Sequence, residues 1–236
     1  MCLVQKIWYP KVIEENLFFE SGDIRIEGRL AYDESVRLPV AKVMLCPPHP
    51  FLGGDMENNV LTQITKTLTD NGFIVFRFNY RGIGMSETDR DLQEDQELFW
   101  RDSTCPEYEE KIYIDCEAAY QKISNIMETT WPVYVIGYSF GCLPSIQLSN
   151  DHIIKKLGMI SPPLSKWKLK PERLNNKQQK KFFYAPDDFA CSEQDISALY
   201  QQIAEPKSFQ PFPDADHFFI GKEPELANSV TEFLME

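Results

Sequence analysis

The chain has 236 residues, of which 36 are acidic and 24 basic, so its formal charge at pH 7 is −12. A protein this acidic repels nucleic-acid phosphates and anionic lipid surfaces, so we expect neither nucleic acid nor a membrane as a partner. Its hydrophobic fraction of 43% is ample for a buried core, and no apolar run approaches the roughly 20 residues that cross a bilayer.

The first segment, residues 1–10, has no sustained apolar stretch and does not resemble a secretory signal. The six cysteines include no CxxC pair, which favours free thiols in a reducing, cytoplasmic compartment. The sequence has three histidines and no visible metal-ligand spacing, so we expect no metal and no cofactor.

Short runs rich in β-branched and aromatic residues alternate with longer runs of helical periodicity. The predicted strands cover residues 16–19, 24–32, 42–46, 73–78, 133–137, 156–160, 181–184 and 207–212. The predicted helices cover residues 59–70, 108–127, 141–148, 193–204 and 223–234. This alternation predicts one α/β domain over residues 1–236, a three-layer sandwich with a mostly parallel central sheet. The short turn Ser21-Gly22-Asp23 predicts an antiparallel hairpin at one edge.

Two long polar stretches interrupt the alternation. The acidic segment is residues 82–106, and the basic segment is residues 162–180. Both follow predicted strands, so they either roof a binding site or are solvated loops. The two could attract each other, or the basic segment could bind an acidic carrier protein or a CoA phosphate; a solvated face is the simpler alternative. The basic side chains concerned are Lys166, Lys168, Lys170, Arg173 and Lys177.

The strongest chemical signal is the sequence Gly137-Tyr138-Ser139-Phe140-Gly141, which follows a β-branched strand and opens a predicted helix. In a G-x-S-x-G turn of this kind, small flanking residues let strand and helix pass close together, and the serine is presented above the sheet edge. The pattern therefore predicts Ser139 as a nucleophile; a glycine-flanked structural turn is the alternative.

A serine nucleophile needs a base, and the chain offers His49, His152 and His217. His152 follows the helix that begins near Ser139, on the wrong side to reach the helix N-terminus, so we expect a surface residue. His49 lies in the loop after the strand at residues 42–46 and is expected to orient that loop through side-chain hydrogen bonds. His217 lies between a predicted strand and the last helix.

Three motifs in order resemble those of the α/β-hydrolase superfamily. They are P-H-P-F-L-G-G at residues 48–54, N-Y-R-G-I-G-M-S at residues 79–86 and G-Y-S-F-G at residues 137–141. The combination is most similar to small, capless bacterial hydrolases whose first loop reads H-P-H-P-x-x-G-G, although the first histidine of that pattern is missing. The resemblance covers roughly residues 24–234, and residues 161–181 are too few for a large cap domain.

The resemblance implies a catalytic triad in the chain order serine, acid, histidine. It makes Ser139 the nucleophile and His217 the general base. The acid should lie just beyond the strand at residues 181–184, where the family register selects Asp188 over its neighbour Asp187. Asp214 and Asp216 are the alternatives, but residues adjacent to His217 are poorly placed to face its ring.

Acyl transfer also needs donors for the developing oxyanion. The expected donors are the backbone N–H of Phe140, after the nucleophile, and an N–H of the first loop, with Phe51 ahead of Leu52. Aromatic and aliphatic side chains around these positions predict an apolar acyl pocket. The predicted pocket residues are Phe51, Leu52, Phe99, Trp100, Phe140 and Trp167.

These residues predict a serine hydrolase that cleaves a small-molecule ester or thioester through an acyl-enzyme. An acyltransferase or peptidase with the same triad is a second possibility, and a non-catalytic hydrolase-fold binding protein is a third. The intact set of Ser139, Asp188 and His217 argues against the third, because a scaffold has no need of all three. A dehalogenase is disfavoured, since an aspartate would stand in place of Ser139.

Overall fold

A computed structural model describes residues 12–102, 104–169, 172, 174 and 176–236. The interpretations that concern residues 1–10, Lys170 and Arg173 lie outside the described residues. The strands are β1 Val12–Ser21, β2 Ile24–Asp33, β3 Lys42–Cys46, β4 Ile74–Phe78, β5 Val133–Tyr138, β6 Lys156–Ile160, β7 Gln179–Tyr184, β8 Asp187–Asp188, β9 Cys191–Ser192 and β10 Lys207–Pro211. The α-helices are α1 Asn59–Asp70, α2 Leu92–Asp102, α3 Pro106–Asn125, α4 Cys142–Asp151, α5 Glu193–Gln202 and α6 Glu223–Met235.

Eight strands form one sheet in the order β1-β2-β4-β3-β5-β6-β7-β10. The pairs β1–β2 and β2–β4 are antiparallel, and every later pair in this sheet is parallel. The expected edge hairpin is confirmed, with Ser21 opposite Ile24 across a tight turn. β8 and β9 form a separate two-stranded ladder beyond the end of β7.

The central strands are buried on both faces, as parallel strands covered by helices require. In β3, Met44 and Cys46 belong to one apolar cluster, whereas Val43 and Leu45 belong to the other, because successive side chains alternate across a strand. The first cluster also contains apolar residues of α2, α3, α4 and α5, and the second contains those of α1 and α6. The three-layer α/β sandwich predicted from the sequence is therefore confirmed. Within the described residues, no helix is both long and apolar enough to cross a membrane.

The sequence analysis predicted no helix in the acidic segment, but α2 occupies Leu92–Asp102. The Asp91 carboxylate accepts hydrogen bonds from the N–H groups of Gln93 and Glu94, at 3.1 Å each, and so caps the helix. Asp95 is buried and pairs with Arg90 at 2.5 Å. A cap and an ion pair thus stabilise this helix. Its apolar face is too narrow to give a recognisable helical spacing of hydrophobic residues in the sequence.

Candidate active site

Ser139 lies at the sharp turn between β5 and α4. Its φ of 52° is in the left-handed region, which is strained for a residue with a side chain. A Cβ at Gly141 would lie 2.2 Å from the carbonyl oxygen of Cys46. One at Gly137 would lie 2.6 Å from the Cα of Cys142. Glycine is therefore required at both positions, because any side chain there would collide with the backbone that packs against the turn. This is the steric reason for which the G-x-S-x-G motif has glycines on both sides of the serine.

The strand order brings three loops to the same edge of the sheet. The chain crosses from β3 to β4 on one side and to β5 on the other, so the carboxyl ends of β3 and β5 flank a crevice. Ser139 follows β5, Asp188 lies just beyond β7 and His217 follows β10. Because these strands are parallel, the residues beyond their carboxyl ends can meet.

The three side chains form a continuous hydrogen-bonded chain. The Oγ atom of Ser139 is 3.1 Å from Nε2 of His217. The other ring nitrogen, Nδ1, is 2.9 Å from Oδ1 and 2.8 Å from Oδ2 of Asp188. All three residues are largely buried. When the Asp188 carboxylate accepts a hydrogen bond from the Nδ1–H group, Nε2 is unprotonated and can accept the proton of Ser139.

The structure brings Asp188, and not the other candidate acids, to His217. Oδ1 of Asp188 also accepts the N–H of Ala190 at 2.7 Å, which holds the carboxylate in place. Asp187 is exposed. Asp216 accepts the N–H groups of Phe218 and Ile220 at 3.0 and 3.3 Å, so it orders the turn after His217.

Asp214, the remaining alternative, is 86% exposed at its side chain, and the nearest cation is the Lys222 ammonium at 3.9 Å. The backbone of the His217 loop is instead fixed by Tyr138, whose hydroxyl donates to the His217 carbonyl oxygen at 2.9 Å. Sequence reasoning did not assign Tyr138 this role, and its position beside Ser139 was the one available signal.

The two predicted oxyanion donors differ in their surroundings. Phe140 is the second residue of a short 3-10 turn, Ser139–Gly141, where N–H groups have no partner within the turn. The Phe51 N–H, by contrast, donates to Nδ1 of His49 at 3.2 Å. The Leu52 N–H donates to the His49 carbonyl oxygen at 3.0 Å. Both first-loop donors are therefore engaged within their own turn, contrary to expectation. The His49 ring folds back and accepts the Phe51 N–H, whereas the Leu52 N–H is held by the backbone of the turn.

A cavity of about 520 Å³ opens beside Ser139 and His217. Its volume is within the range of small-molecule sites. Of the predicted pocket residues, Leu52, Phe140 and Trp167 line it. Two aromatic residues that were not predicted, Phe189 and Phe218, line its rim. Each directly follows a predicted triad residue in the sequence, which was the available signal.

Phe51, Phe99 and Trp100 do not line this cavity, contrary to expectation. Phe51 is buried, and its ring stacks on Tyr108 with centroids 4.5 Å apart. Phe99 is 1% exposed and stacks on the His49 ring with centroids 4.5 Å apart. Trp100 is 62% exposed. Consecutive residues of a helix point about 100° apart, so the inward position taken by Phe99 turns Trp100 outward. The assignment of Phe99 and Trp100 to the pocket is therefore corrected: Phe99 packs against the His49 ring, and Trp100 faces solvent.

The acidic segment is neutralised mainly by its own neighbours. Asp89 accepts from Arg81 at 2.6 Å and from Lys111 at 3.0 Å. Arg81 in turn pairs with the buried Asp115 at 2.6 Å. These contacts anchor the residues between β4 and α2 to α3, and no described residue of the acidic segment lines the cavity.

His49 is fully buried under aromatic rings. The rings of Phe99, Phe140 and Trp167 lie 4.5, 4.6 and 6.1 Å from its own. Burial, and to a smaller extent the nearby Lys166 ammonium, lowers the pKa of His49 to about 3. The ring is therefore neutral at pH 7. Because Nδ1 accepts the Phe51 N–H, the ring proton must be on Nε2.

This depressed pKa predicts an acid-sensitive contribution to stability. Unfolded His49 binds a proton below about pH 6.5, whereas folded His49 does so only near its pKa of about 3. The contribution of neutral His49 to the free energy of unfolding is therefore complete above about pH 6.5. It is lost as the pH falls from there towards the folded pKa of about 3. Against a variant His49→Phe, which keeps a stacked ring, the parent should lose about 2 kcal/mol more free energy of unfolding between pH 7 and 4.5.

Urea titrations of parent and His49→Phe at several pH values measure this difference. Parallel curves of unfolding free energy against pH would contradict a neutral, buried His49.

The remaining histidine, His152, lies apart from the site. Its Nε2 is 2.8 Å from a Glu117 carboxylate oxygen, and its ring stacks on Tyr120 at 4.3 Å. It is half-buried rather than fully exposed, but the structure gives it no contact with Ser139. Among the described residues, no three His, Cys, Asp or Glu side chains are grouped so that they could hold a metal ion.

Comparison with known proteins gives the fold. No family model matches the chain. A protein of Rickettsia prowazekii, named only as uncharacterised, is 27% identical over 93% of this chain and 88% of its own. An α/β serine hydrolase homologue from Coxiella burnetii superposes with a TM-score of 0.77 at 22% identity, over 92% of this chain and 96% of that one.

Two further solved structures have the same architecture. An α/β serine hydrolase without a lid from Xanthomonas campestris gives a TM-score of 0.76 at 20% identity, over 96% of this chain and 95% of that one. A Pyrococcus furiosus esterase gives 0.72 at 15% identity, over 97% and 95%. The resemblance inferred from the motifs is thus confirmed at the level of architecture, and this protein has the α/β-hydrolase fold.

Proposed function

We propose that this protein is a serine hydrolase that cleaves a carboxylic ester or thioester through an acyl-enzyme. The observation that carries the proposal is the hydrogen-bonded chain from Ser139 through His217 to Asp188, with distances of 3.1 and 2.8 Å, beside an open cavity. The esterase and serine hydrolases that share this fold are consistent with the proposal.

In the acylation step, Oγ of Ser139 attacks the substrate carbonyl carbon while Nε2 of His217 takes its proton. Asp188 stabilises the imidazolium that forms. The negative charge that develops on the carbonyl oxygen is stabilised by the Phe140 N–H and by the N-terminal end of α4. The imidazolium then gives its proton to the departing alcohol or thiol, and the acyl group stays on Ser139.

In the deacylation step, His217 takes a proton from a water molecule, and the oxygen of that water attacks the acyl carbon. Collapse of the second tetrahedral intermediate returns the proton to Ser139 and releases the acid. The rim residues Phe189, with 73% of its surface exposed, and Leu52, with 53%, leave the mouth open to water. An accessible mouth supports hydrolysis over acyl transfer, which needs water to be excluded.

The lining of the cavity favours a medium-sized acyl group. Leu52, Phe140 and Trp167 offer apolar surface next to Ser139. Each buried methylene contributes about 0.8 kcal/mol. We therefore expect kcat/KM to rise with acyl length until the cavity is full, and then to fall.

The experiment is a panel of 4-nitrophenyl esters and matched acyl-thioesters of graded chain length, assayed with purified protein. An optimum at intermediate length, with product acid formed in step with the leaving group, is the expected result. Ester consumption with transfer to an added alcohol would support the acyltransferase alternative. No turnover of any ester or thioester of the panel would favour the non-catalytic alternative.

A further inference from the structure

Lys166 places a positive charge at the cavity beside Ser139. Its ammonium nitrogen lies 4.4 Å from the centroid of the Phe99 ring and 4.5 Å from that of the Trp167 ring. Contacts of this kind attract a cation to the ring face and restrict the otherwise flexible lysine stem. Lys166 is therefore held near the cavity and still has an exposed side chain.

The cavity differs in charge from the rest of the molecule. The chain carries a formal charge of −12. Yet among the described residues that line the cavity, none is an aspartate or glutamate, and Lys166 is the one lysine or arginine. Glu109 lies near enough to attract the Lys166 ammonium, and its carboxylate also accepts the Trp167 indole N–H at 3.3 Å and so positions that ring.

His49 adds an unused donor at the same cavity. Its Nδ1 atom is occupied by the Phe51 N–H. Its Nε2 atom, which must carry the ring proton, is buried with no hydrogen-bond partner in the described part of the chain. A buried N–H without a partner is costly, and an acceptor brought by a ligand would remove that cost.

We propose that Lys166 and His49 form a subsite for a negatively charged oxygen, so that the preferred substrate carries a carboxylate or a phosphate on its acyl group. This inference rests on the proposed hydrolase function and names a substrate class for it. The Lys166 ammonium supplies the charge, the Nε2–H of His49 supplies a directional donor, and the surrounding rings bind the apolar part of the acyl chain. A neutral acyl chain of equal length would contact only the aromatic rings.

The kinetic test compares three esters of matched length: 4-nitrophenyl hexanoate, mono-4-nitrophenyl adipate and 4-nitrophenyl 5-phosphonopentanoate. The quantity measured is the ratio of kcat/KM for each anionic ester to kcat/KM for hexanoate, so each variant has its own neutral reference. Lys166→Met should lower the ratio about fivefold, as expected for a partly exposed charge pair. Lys166→Glu should lower it further, and added salt should reduce the preference of the parent.

Lys168→Met is the matched control, because Lys168 is an exposed lysine of the same segment that does not line the cavity. It should keep the parent ratio. The two anionic esters distinguish the ligands: a preference for adipate alone indicates a carboxylate, and one for the phosphonate alone indicates a phosphate. Equal ratios in the parent and Lys166→Met would overturn the proposal.

Binding of product acids separates this proposal from the proposed function. Calorimetric titration of adipate, 5-phosphonopentanoate and hexanoate into the parent needs no turnover. Tighter binding of a doubly anionic acid, weakened in Lys166→Met and in His49→Phe and restored in part by His49→Gln, supports the subsite even if no ester is cleaved. Equal affinity for all three acids would overturn the subsite and leave the hydrolase proposal intact.

Discussion

Replacing Ser139 by alanine should reduce the turnover of any activated ester to background, a loss on the order of 10⁵-fold or more. Without Oγ there is no nucleophile to form the acyl-enzyme, although the cavity and the Phe140 N–H remain. Folding should be preserved, because alanine retains a Cβ and meets the same left-handed φ of 52° that serine does. The measurements are kcat with the best ester of the chain-length panel and the thermal unfolding midpoint.

Ser145→Ala is the matched control for this variant. Ser145 is a fully buried serine of α4 whose hydroxyl donates to the Cys142 carbonyl oxygen at 2.8 Å. It should retain full activity with at most a modest loss of stability. If Ser139→Ala kept a substantial fraction of kcat while Ser145→Ala lost it, the nucleophile would have to be sought elsewhere.

Replacing Asp188 by asparagine should lower kcat by about 10⁴-fold. An asparagine at this position can donate its amide N–H to Nδ1 of His217, which would move the ring proton to Nε2 and prevent that atom from accepting the proton of Ser139. Asp187→Asn should instead cost only about 1 kcal/mol of stability, because Asp187 is exposed and acts at most within its turn. Both variants are assayed on one ester, with urea unfolding as the stability measure.

The ranking of these two variants decides which acid serves His217. The reverse order, with Asp187→Asn inactive and Asp188→Asn active, would contradict the contact of 2.8 Å between Asp188 and Nδ1. Near-full activity in both would direct the search to Asp214 or Asp216.

Local sequence signals predicted much of this architecture. α1 begins at Asn59 and ends at Asp70, as predicted from its periodicity. The structure adds that the side chain of Asn58 caps this helix by accepting the Val60 N–H. β3 and β6 also have their predicted bounds. The turn at Ser139 was predictable from the local sequence, because Gly137 and Gly141 lie within two residues of the serine and leave room for the close backbone contacts of the turn.

Other features depend on contacts between residues that are far apart in the sequence. α2 has few apolar residues, so it is stabilised mainly by a cap and by an ion pair between Arg90 and Asp95. The spacing of hydrophobic residues in the sequence does not reveal these interactions. Whether Phe99 or Trp100 faces inward depends on how that helix docks against His49. The engagement of the Phe51 N–H likewise follows from the rotamer of one buried histidine.

Lys166 illustrates the same point for the cavity. In the sequence it is one lysine among several in the basic segment, and a solvated face was the simpler interpretation. The fold places its ammonium 4.4 Å from the Phe99 ring, which belongs to the acidic segment. Only the tertiary structure, therefore, distinguishes it from Lys168.

The central claim is that Ser139 is an activated nucleophile, and covalent labelling tests it most directly. A fluorophosphonate probe should form one adduct with the parent protein, and tandem mass spectrometry of the labelled peptide should place it on Ser139. His217→Gln should label far more slowly, and Ser139→Ala should not label. A parent that stays unlabelled, or an adduct of equal yield on Ser139→Ala, would contradict the account.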